Sequence, residues 1–360
     1  MADICGMQVD YLIVGQGICG SFLSRYLLEA GCSIRVMDHP NPDSASTIAS
    51  GIINPITGRR LVRTWEIEKF LPFAREAYSA MSQLLHQPLI REMSLLEFPT
   101  TVQMKQAFEH RTLTESFVRY PTQNTRWKEY FNSIFEPGEI SPALLVSLNP
   151  FISGWRNELQ KRNIIDNSLL SFEDIRNEPT GILYRDISAK KIIFCDGVNS
   201  GNNPHFSKLP FAPNKGEVIW ARIPELSDEF IYKAGITLVP WEKDIWWIGS
   251  TYEWDFTDAL PTKQFRERVT TYLQQWLKLP FEILDHRASI RPANLERRPF
   301  VGLHPANDKI GILNGMGTKG CSLAPWFAKE LADHLTKGTP LHPLADIQRF
   351  QKILSKNSID

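Results

Sequence analysis

The chain has 360 residues, 42% of them hydrophobic and 11% aromatic, enough for a sizeable core in roughly two domains. Its 40 basic side chains balance 40 acidic ones, which gives no reason to expect nucleic acid or a membrane surface as partner. Cys5, Cys19, Cys32, Cys195 and Cys321 are scattered without a C-x-x-C pair, which argues against a disulfide framework or zinc knuckle and for a reducing compartment.

The opening residues "MADICGMQVD" have no basic n-region and no apolar h-region, and no run of ~18 apolar residues occurs anywhere. The expectation is a cytoplasmic protein without a membrane span. Residues 9–39 read as strand, tight turn, helix, strand: "VDYLIV" is a short run of β-formers, and Phe22, Leu23, Tyr26 and Leu27 share one helical face. Gly31 fits the end of that helix, and "SIRVMD" is the second strand. Residues 41–58 are loop-like, rich in Ser, Asn, Pro and Gly. No glycine occurs between Arg59 and Pro137, and Trp65, Ile67, Phe70, Leu71, Ala74 and Tyr78 form one broad stripe. This region is predicted to be mostly helical.

Residues 142–161 are predicted as another helix, and "KKIIFCDG" as a buried strand ending in a turn. From Gly216 to Trp254 short apolar runs separated by turn residues, "GEVIWARIP", "GITLVP" and "DIWWIGSTYEW", predict an antiparallel sheet. Residues 264–278 return to a helical pattern. A basic stretch with Arg287, Arg291, Arg297 and Arg298 precedes a strand "KIGILN", and a helix runs from about Ser322 to Leu335. The basic stretch reads as a solvated face with one buried member.

Two glycine loops carry the chemistry. "GQGICG", Gly15 to Gly20, sits between a strand and a helix, and Asp38 closes the next strand. Gly15 makes the turn, Gly17 lets backbone approach a diphosphate, and Gly20 lets helix and strand pack closely. The helix N-terminus offers free N–H groups and partial positive charge. Asp38 can accept bonds from ribose hydroxyls and repels a 2′-phosphate. "GMGTKG", Gly315 to Gly320, has the same pattern and the same strand–helix context, with Pro325 expected in the first helical turn and Gly338 at its end. The stretch after that helix, "GTPLHPLADIQRFQ", supplies no second strand with an acid. This loop therefore cannot open a second nucleotide unit, but it can bring another helix N-terminus to the same dinucleotide. That arrangement suits FAD better than NAD, because a flavin is held along its whole length and a helix N-terminus favours negative charge on the reduced ring.

Five stretches together resemble the FAD-dependent oxidoreductases of the D-amino-acid oxidase superfamily, which includes glycine oxidase, sarcosine oxidase and glycerol-3-phosphate dehydrogenase. They are "IVGQGICGSFLSRYL" with Asp38; "SASTIASGIINP"; "KKIIFCDGVNS" followed by "NKGEVIWARI"; "WWIGSTYEW"; and "SIRPANLERRPFVG" followed by "GILNGMGTKGCSLAP". The resemblance implies an α/β fold with an α+β second lobe. A discontinuous Rossmann-like FAD-binding domain would comprise 1–80, 145–215 and 285–360. An antiparallel-sheet substrate domain of 81–144 and 216–284 would cover the flavin ring. The implied cofactor contacts are Gly15, Gly17, Ile18, Cys19, Gly20, Asp38, His39, Ser46, Ser50, Gly51, Cys195, Asp196, Gly197, Gly315, Met316, Gly317, Thr318, Lys319 and Gly320. FAD is expected to be noncovalent, since Cys321 does not match the attaching position of relatives, and the eight histidines show no metal-ligand spacing.

The implied enzyme is an amine or amino-acid oxidase or dehydrogenase that oxidises a C–N bond, its acceptor being oxygen or a quinone. Arg291 of "IRP" matches a carboxylate-binding arginine, whose fork suits that anion. Glycine oxidase has an arginine at the position of Thr318, so that anchor is missing here. Lys319 is adjacent, and the loop looks most like the oxidase domain of the enzyme that modifies the tRNA wobble uridine, which has an arginine there. Both chemistries concern N-substituted glycines. Tyr252, Trp246 and Trp247 lie on the strand that by resemblance faces the flavin; alternation sends at least one of them into the core, and Tyr252 is the candidate pocket residue. Three other readings stay open: a tRNA-modifying oxidase, a 2-hydroxyacid or glycerol-3-phosphate-type dehydrogenase, and a flavoprotein that binds a partner or senses redox without turnover.

Overall fold

The computed structural model describes residues 6–121 and 126–355; Cys5 lies outside them. It is a mixed α/β structure of two compact units, one of Met1–Thr47, Asn149–Asn214 and Arg291–Asp360, the other of Ile48–Leu148 and Lys215–Ile290. The first boundary falls at residue 47, whereas the sequence reading carried the first domain to residue 80. Residues 48–80 join the second unit because the strand Ile52–Ile53 pairs with Leu144 and Leu145 there.

The first unit is built on an eight-stranded sheet. Its parallel core runs Ile165–Asp166, β2 (Ile34–Met37), β1 (Met7–Val14), Ile187–Phe194 and Asn307–Asn314. Both faces of β1 are covered, which is why "VDYLIV" reads as a continuous apolar run rather than an alternation. Leu12 and Val14 join the core formed with Ile192, Phe194, Phe300 and Ile312. On the other face Tyr11 donates its hydroxyl to Leu335 O at 3.1 Å. The helix α1 (Ile18–Glu29) packs beside the helix Gly320–Lys337. The helix Leu148–Lys161 lies against α1, with Phe22 and Phe151 ring centroids 4.9 Å apart and Trp155 Nε1 donating to Ser24 Oγ at 2.8 Å.

The second unit holds a nine-stranded sheet in the order Glu282–Arg291, Asn214–Arg222, Ile245–Gly249, Ile236–Glu242, Phe230–Ala234, Ile90–Glu97, Gly138–Val146, Ile52–Ile53, with Val118–Arg119 beside Gly138–Val146. From Asn214–Arg222 onward the pairing is antiparallel except between Phe230–Ala234 and Ile90–Glu97, which pair in parallel. Trp246 and Trp247 enter two different core clusters, as alternation requires. Trp247 Nε1 donates to Ile48 O at 2.8 Å.

Three predicted elements need correction. The glycine-free region is helical over Ile67–Leu85 and Val102–Thr114, but between them Ile90–Glu97 is a central strand. Leu, Met and Glu in "IREMSLLE" favour a helix weakly, and pairing on both edges overrides that preference. The predicted helix 142–161 begins only at Leu148, because Gly138–Val146 is the other partner of that strand. Pro325 sits inside the helix rather than in its first turn, since the helix already starts at Gly320. Gly338 does end that helix, at φ +71°. Among the described residues, no helix is long and apolar enough to cross a membrane.

Candidate functional site

Three loops leave the C-terminal ends of adjacent parallel strands: Gly15 to Gly17 after β1, Cys195 to Gly197 after Ile187–Phe194, and Gly315 to Gly317 after Asn307–Asn314. The chain departs from β1 to β2 on one side and to Ile187–Phe194 on the other, which makes this edge the point where a doubly wound sheet takes its ligand. Gly15 has φ +96°, and a Cβ on it would stand 2.4 Å from Cys195 O. A Cβ on Gly20 would stand 1.8 Å from Gly15 O. Only glycine lets α1 begin this close to the turn.

Gly17 is the N-cap of α1, extended and without a side-chain cap bond, and Ile18 N donates to Ser46 Oγ at 3.1 Å. No side chain of the N-cap residue covers the first turn of α1, and of its N–H groups that of Ile18 is taken up by Ser46. A Cβ on Gly320 would lie 3.6 Å from Ile18 Cγ2. The first residues of the two glycine-loop helices therefore touch, and their positive ends converge within one unit. Gly317 takes φ +55° and tolerates the approach of Ala293 at 3.7 Å from a built Cβ. Such glycine turns beside two helix N-termini fit the diphosphate of a dinucleotide.

Asn314 joins two of the loops. Its Nδ2 donates to Gly197 O and Ser200 Oγ, each at 2.7 Å, and its Oδ1 accepts from Gly315 N at 2.8 Å. Asp196 is spent inside this knot, accepting from Ser200 Oγ and from Asn314 Nδ2 at 3.4 Å. Burial pushes its pKa up to about 6, against the opposing pull of these hydrogen bonds. An acid whose folded pKa is raised contributes stability in full below its unfolded value, and loses it as pH rises through the folded one. The flavin-free protein should therefore lose on the order of 2–3 kcal/mol from this group between about pH 4 and pH 7. Asp196→Asn should abolish that part of the slope, measured by urea unfolding across the range; equal slopes for both proteins would refute the assignment.

Asp38 comes directly after β2 and is not a lone acid. Its Oδ1 accepts from Gln16 N at 2.8 Å and its Oδ2 from Arg156 Nη1 at 2.6 Å. Arg156 Nη1 also reaches Gln16 Oε1 at 3.0 Å, while Nη2 reaches Asp38 O at 3.1 Å and Asn167 Oδ1 at 2.5 Å. Its Nε is buried without a hydrogen-bond partner. The acid is thus held in place and its charge is paired, which weakens the simple argument that it repels a 2′-phosphate. Neither Arg156 nor Gln16 was among the sequence candidates. Arg156 sits on an amphipathic helix with nothing in its local pattern to mark it, and only the packing of that helix on α1 brings it here.

The remaining candidates separate. Ser46 is half-buried against α1, and Cys19 and Met316 are buried, whereas His39 and Thr318 are exposed. Burial pushes the Cys19 and Cys321 thiols up to about 12, and Cys195 well above its ordinary value. Buried protonated thiols are poor nucleophiles, in keeping with noncovalent cofactor. Ser50 and Gly51 belong to the second unit, where Gly51, at φ +81°, closely approaches Val146 O. Tyr252 also belongs there and is 51% exposed. It lies beyond its predicted strand, which ends at Gly249.

Arg291 ends the strand Glu282–Arg291, and its Nη1 donates to buried Asn214 Oδ1 at 2.6 Å. The next turn of the chain docks on the second glycine loop: Gly317 N donates to Pro292 O at 3.2 Å, and Asn294 Nδ2 to Gly315 O at 2.8 Å. Arg291 and Lys319 therefore stand on adjoining backbone segments.

Residues 10–334 match the family described as FAD dependent oxidoreductase. The glycine oxidase of Pseudomonas aeruginosa is 22% identical over 356 residues, covering 93% of this chain and 97% of that protein. Among solved structures, glycine oxidase from Geobacillus kaustophilus superposes with a TM-score of 0.78 at 16% identity, over 98% of this chain and 99% of its own. Iminodiacetate oxidase from Chelativorans sp. BNC1 gives 0.71 at 18%, over 94% and 98%. With a glycine cradle for one dinucleotide and a family match over most of its length, the chain belongs to the FAD dependent oxidoreductase family of enzymes, and FAD is its cofactor.

Proposed function

We propose that this enzyme oxidises the C–N bond of a small amine or amino acid, with N-substituted glycines as the substrate class. The observation that carries the reading is the docking of the Arg291–Asn294 turn on the Gly315–Gly317 loop. It sets two cations, Arg291 and Lys319, on neighbouring segments beside a helix N-terminus, and that arrangement suits a substrate carboxylate. Glycine oxidase and iminodiacetate oxidase act, by their names, on amines that carry a carboxymethyl group.

In this reading Arg291 grips the carboxylate by its fork, steadied by Asn214, and Lys319 adds charge with less direction. Tyr252 packs against substrate. The reaction asks these residues for orientation and exclusion of water rather than for a strong base. The α-carbon gives up hydride with its electron pair, the nitrogen lone pair closes the C=N bond, and water then splits the imine. Bound FAD supplies the two-electron acceptor for that hydride. Gly15, Gly17, Gly20 and Asp38, with Arg156 behind it, are the residues that would hold the cofactor's nucleotide half.

The test is anaerobic. The purified holoenzyme is mixed with glycine, sarcosine and iminodiacetate, with lactate and glycerol 3-phosphate as alcohol controls, and the visible flavin band is followed. Bleaching by an amine and not by the alcohols is expected. Bleaching by the alcohols alone would replace this reading with the dehydrogenase one, and an unresponsive flavin would replace it with a non-turnover role. Re-oxidation by oxygen or by a soluble quinone then identifies the acceptor.

A further inference from the structure

The second unit buries a cluster of ionisable side chains. Lys215 and Glu217 lie on one face of the strand Asn214–Arg222, and His286 on the neighbouring strand Glu282–Arg291, with side chains 4%, 0% and 8% exposed. Glu217 Oε2 accepts from Thr262 N at 2.6 Å and from His286 Nε2 at 2.9 Å, and Oε1 from Thr262 Oγ1 at 2.8 Å. Lys215 Nζ stands 3.9 Å from Glu217 Oε1 and 3.8 Å from Asp258 Oδ1. Burial holds the His286 ring below its ordinary pKa against the pull of Glu217, and Nε2 faces the carboxylate oxygen at hydrogen-bond distance.

The main chain of Glu217 works in the other direction along the sequence. Its N donates to Thr251 Oγ1 at 2.8 Å, and its O accepts from Thr251 N at 3.3 Å. Thr251 and Thr262 bracket the segment 252–261. Glu217 therefore ties both ends of that loop, the first through its backbone, beside the main-chain pairing of Lys215 with Glu253, and the second through its carboxylate. The loop between them is mostly exposed and carries an aromatic pair, Tyr252 and Trp254, whose ring centroids lie 5.2 Å apart at an edge-on 76°.

We propose that Glu217 is a positioning residue for substrate, fixing the 252–261 loop and with it Tyr252 and Trp254. This rests on the reading of Tyr252 as a substrate-contacting residue. A buried carboxylate is an expensive way to close a loop, and an apolar contact would cost less. What the carboxylate does that an apolar side chain cannot is accept several directional bonds at once, here from a backbone N–H, a hydroxyl and an imidazole. Lys215 and His286 make that acceptor tolerable inside the unit. Thr262 also caps the helix Lys263–Trp276 by accepting from Phe265 N at 3.2 Å, so the loop's far end is anchored to a rigid element.

Replacing Glu217 would leave Lys215 buried beside a lost partner and invite misfolding. The tests therefore cut the ties from the threonine side. Thr251→Val and Thr262→Val remove one hydroxyl each and leave the charges paired; Thr251→Ser and Thr262→Ser keep the hydroxyl and serve as rescue variants. On the flavin-loaded protein, two things are measured: protease nicking within residues 255–260, and anaerobic bleaching by iminodiacetate, read as a half-saturating concentration and a limiting rate. Thr251→Val should be nicked roughly threefold to tenfold faster and should need a similarly raised iminodiacetate concentration, the size of one lost hydrogen bond, and Thr262→Val should show at least that effect because its hydroxyl also caps the following helix. The limiting rate should stay within about twofold of the parent, since the acceptor and its nucleotide cradle are untouched. Serine variants should match the parent. Unchanged nicking in both valine variants overturns the staple itself. Faster nicking with an unchanged half-saturating concentration overturns the positioning role and leaves the oxidase reading standing. A parent flavin that no amine bleaches overturns that reading and the positioning role with it, whatever the nicking shows.

Discussion

Gly20→Val is expected to yield protein recovered almost without flavin. The valine Cβ would stand 1.8 Å from Gly15 O, a backbone atom. That carbonyl cannot retreat: Gly15 N is bonded to Met37 O at 2.8 Å, and the site of a Gly15 Cβ already faces Cys195 O at 2.4 Å. Either α1 shifts along its axis or the turn deforms, and in both cases the helix N-terminus leaves the place where a diphosphate would meet it. An overpacked contact of this kind costs about 1–3 kcal/mol, equivalent to a fall of roughly fivefold to 150-fold in cofactor affinity if it is borne by the bound state. The readout is the ratio of visible flavin absorbance to protein, together with FAD titration of the apoprotein. Gly17→Ala provides the contrast. Its Cβ meets only Ser46 Oγ at 3.0 Å, a side chain that can turn away, so the fold should hold while affinity falls. If Gly20→Val retains parental flavin, the first glycine loop does not carry the cofactor.

The second large effect is expected at Arg291. Arg291→Leu should raise the half-saturating concentration of an amino-acid substrate by roughly a hundredfold to a thousandfold, the equivalent of about 3–4 kcal/mol for a charge-assisted, two-pronged contact. Flavin content should remain at the parental level, which separates loss of a substrate anchor from collapse of the cradle. Arg291→Lys should recover only part of the loss, because an ammonium restores charge without the fork. Lys319→Met should cost less than Arg291→Leu, since its contact is the less directional of the two. Equal half-saturation for Arg291→Leu and the parent would remove the carboxylate anchor from this residue and reopen the tRNA-modifying and hydroxyacid readings. Asn214 bears on the same result: its Oδ1 holds the guanidinium at 2.6 Å from a fully buried position, so Asn214→Ala should reproduce a milder form of the Arg291 defect.

The cofactor half of the molecule was largely legible in the residue order. Gly15 and Gly20 announce themselves because backbone conformation or close approach to backbone forbids any other side chain there, and Gly17 completes the spacing between them; these constraints act within a few residues of sequence. The strands "VDYLIV" and "KKIIFCDG" were legible because burial on both faces writes an unbroken apolar run. The strand Ile90–Glu97 was not, because its residues take their conformation from partners at 138–146 and 230–234. Arg156 and Glu217 were silent for a related reason. Each acts through a partner far along the chain, Asp38 in one case and Thr251, Thr262 and His286 in the other, and no local spacing records such a meeting.

Taken alone, the order of residues determined that one dinucleotide-binding turn opens the chain, that a second glycine loop near its end cannot start another such unit, and that a sheet-rich region lies between. These conclusions rest on steric limits within short segments. Only the tertiary structure decided that the two loops converge, with the first residue of one helix against that of the other, that Asp38 is paired with an arginine, and that a buried carboxylate ties both ends of the loop bearing Tyr252. Those outcomes depend on helix-on-helix and strand-on-strand packing between distant segments, where the energy lies in contacts that no single stretch of sequence contains.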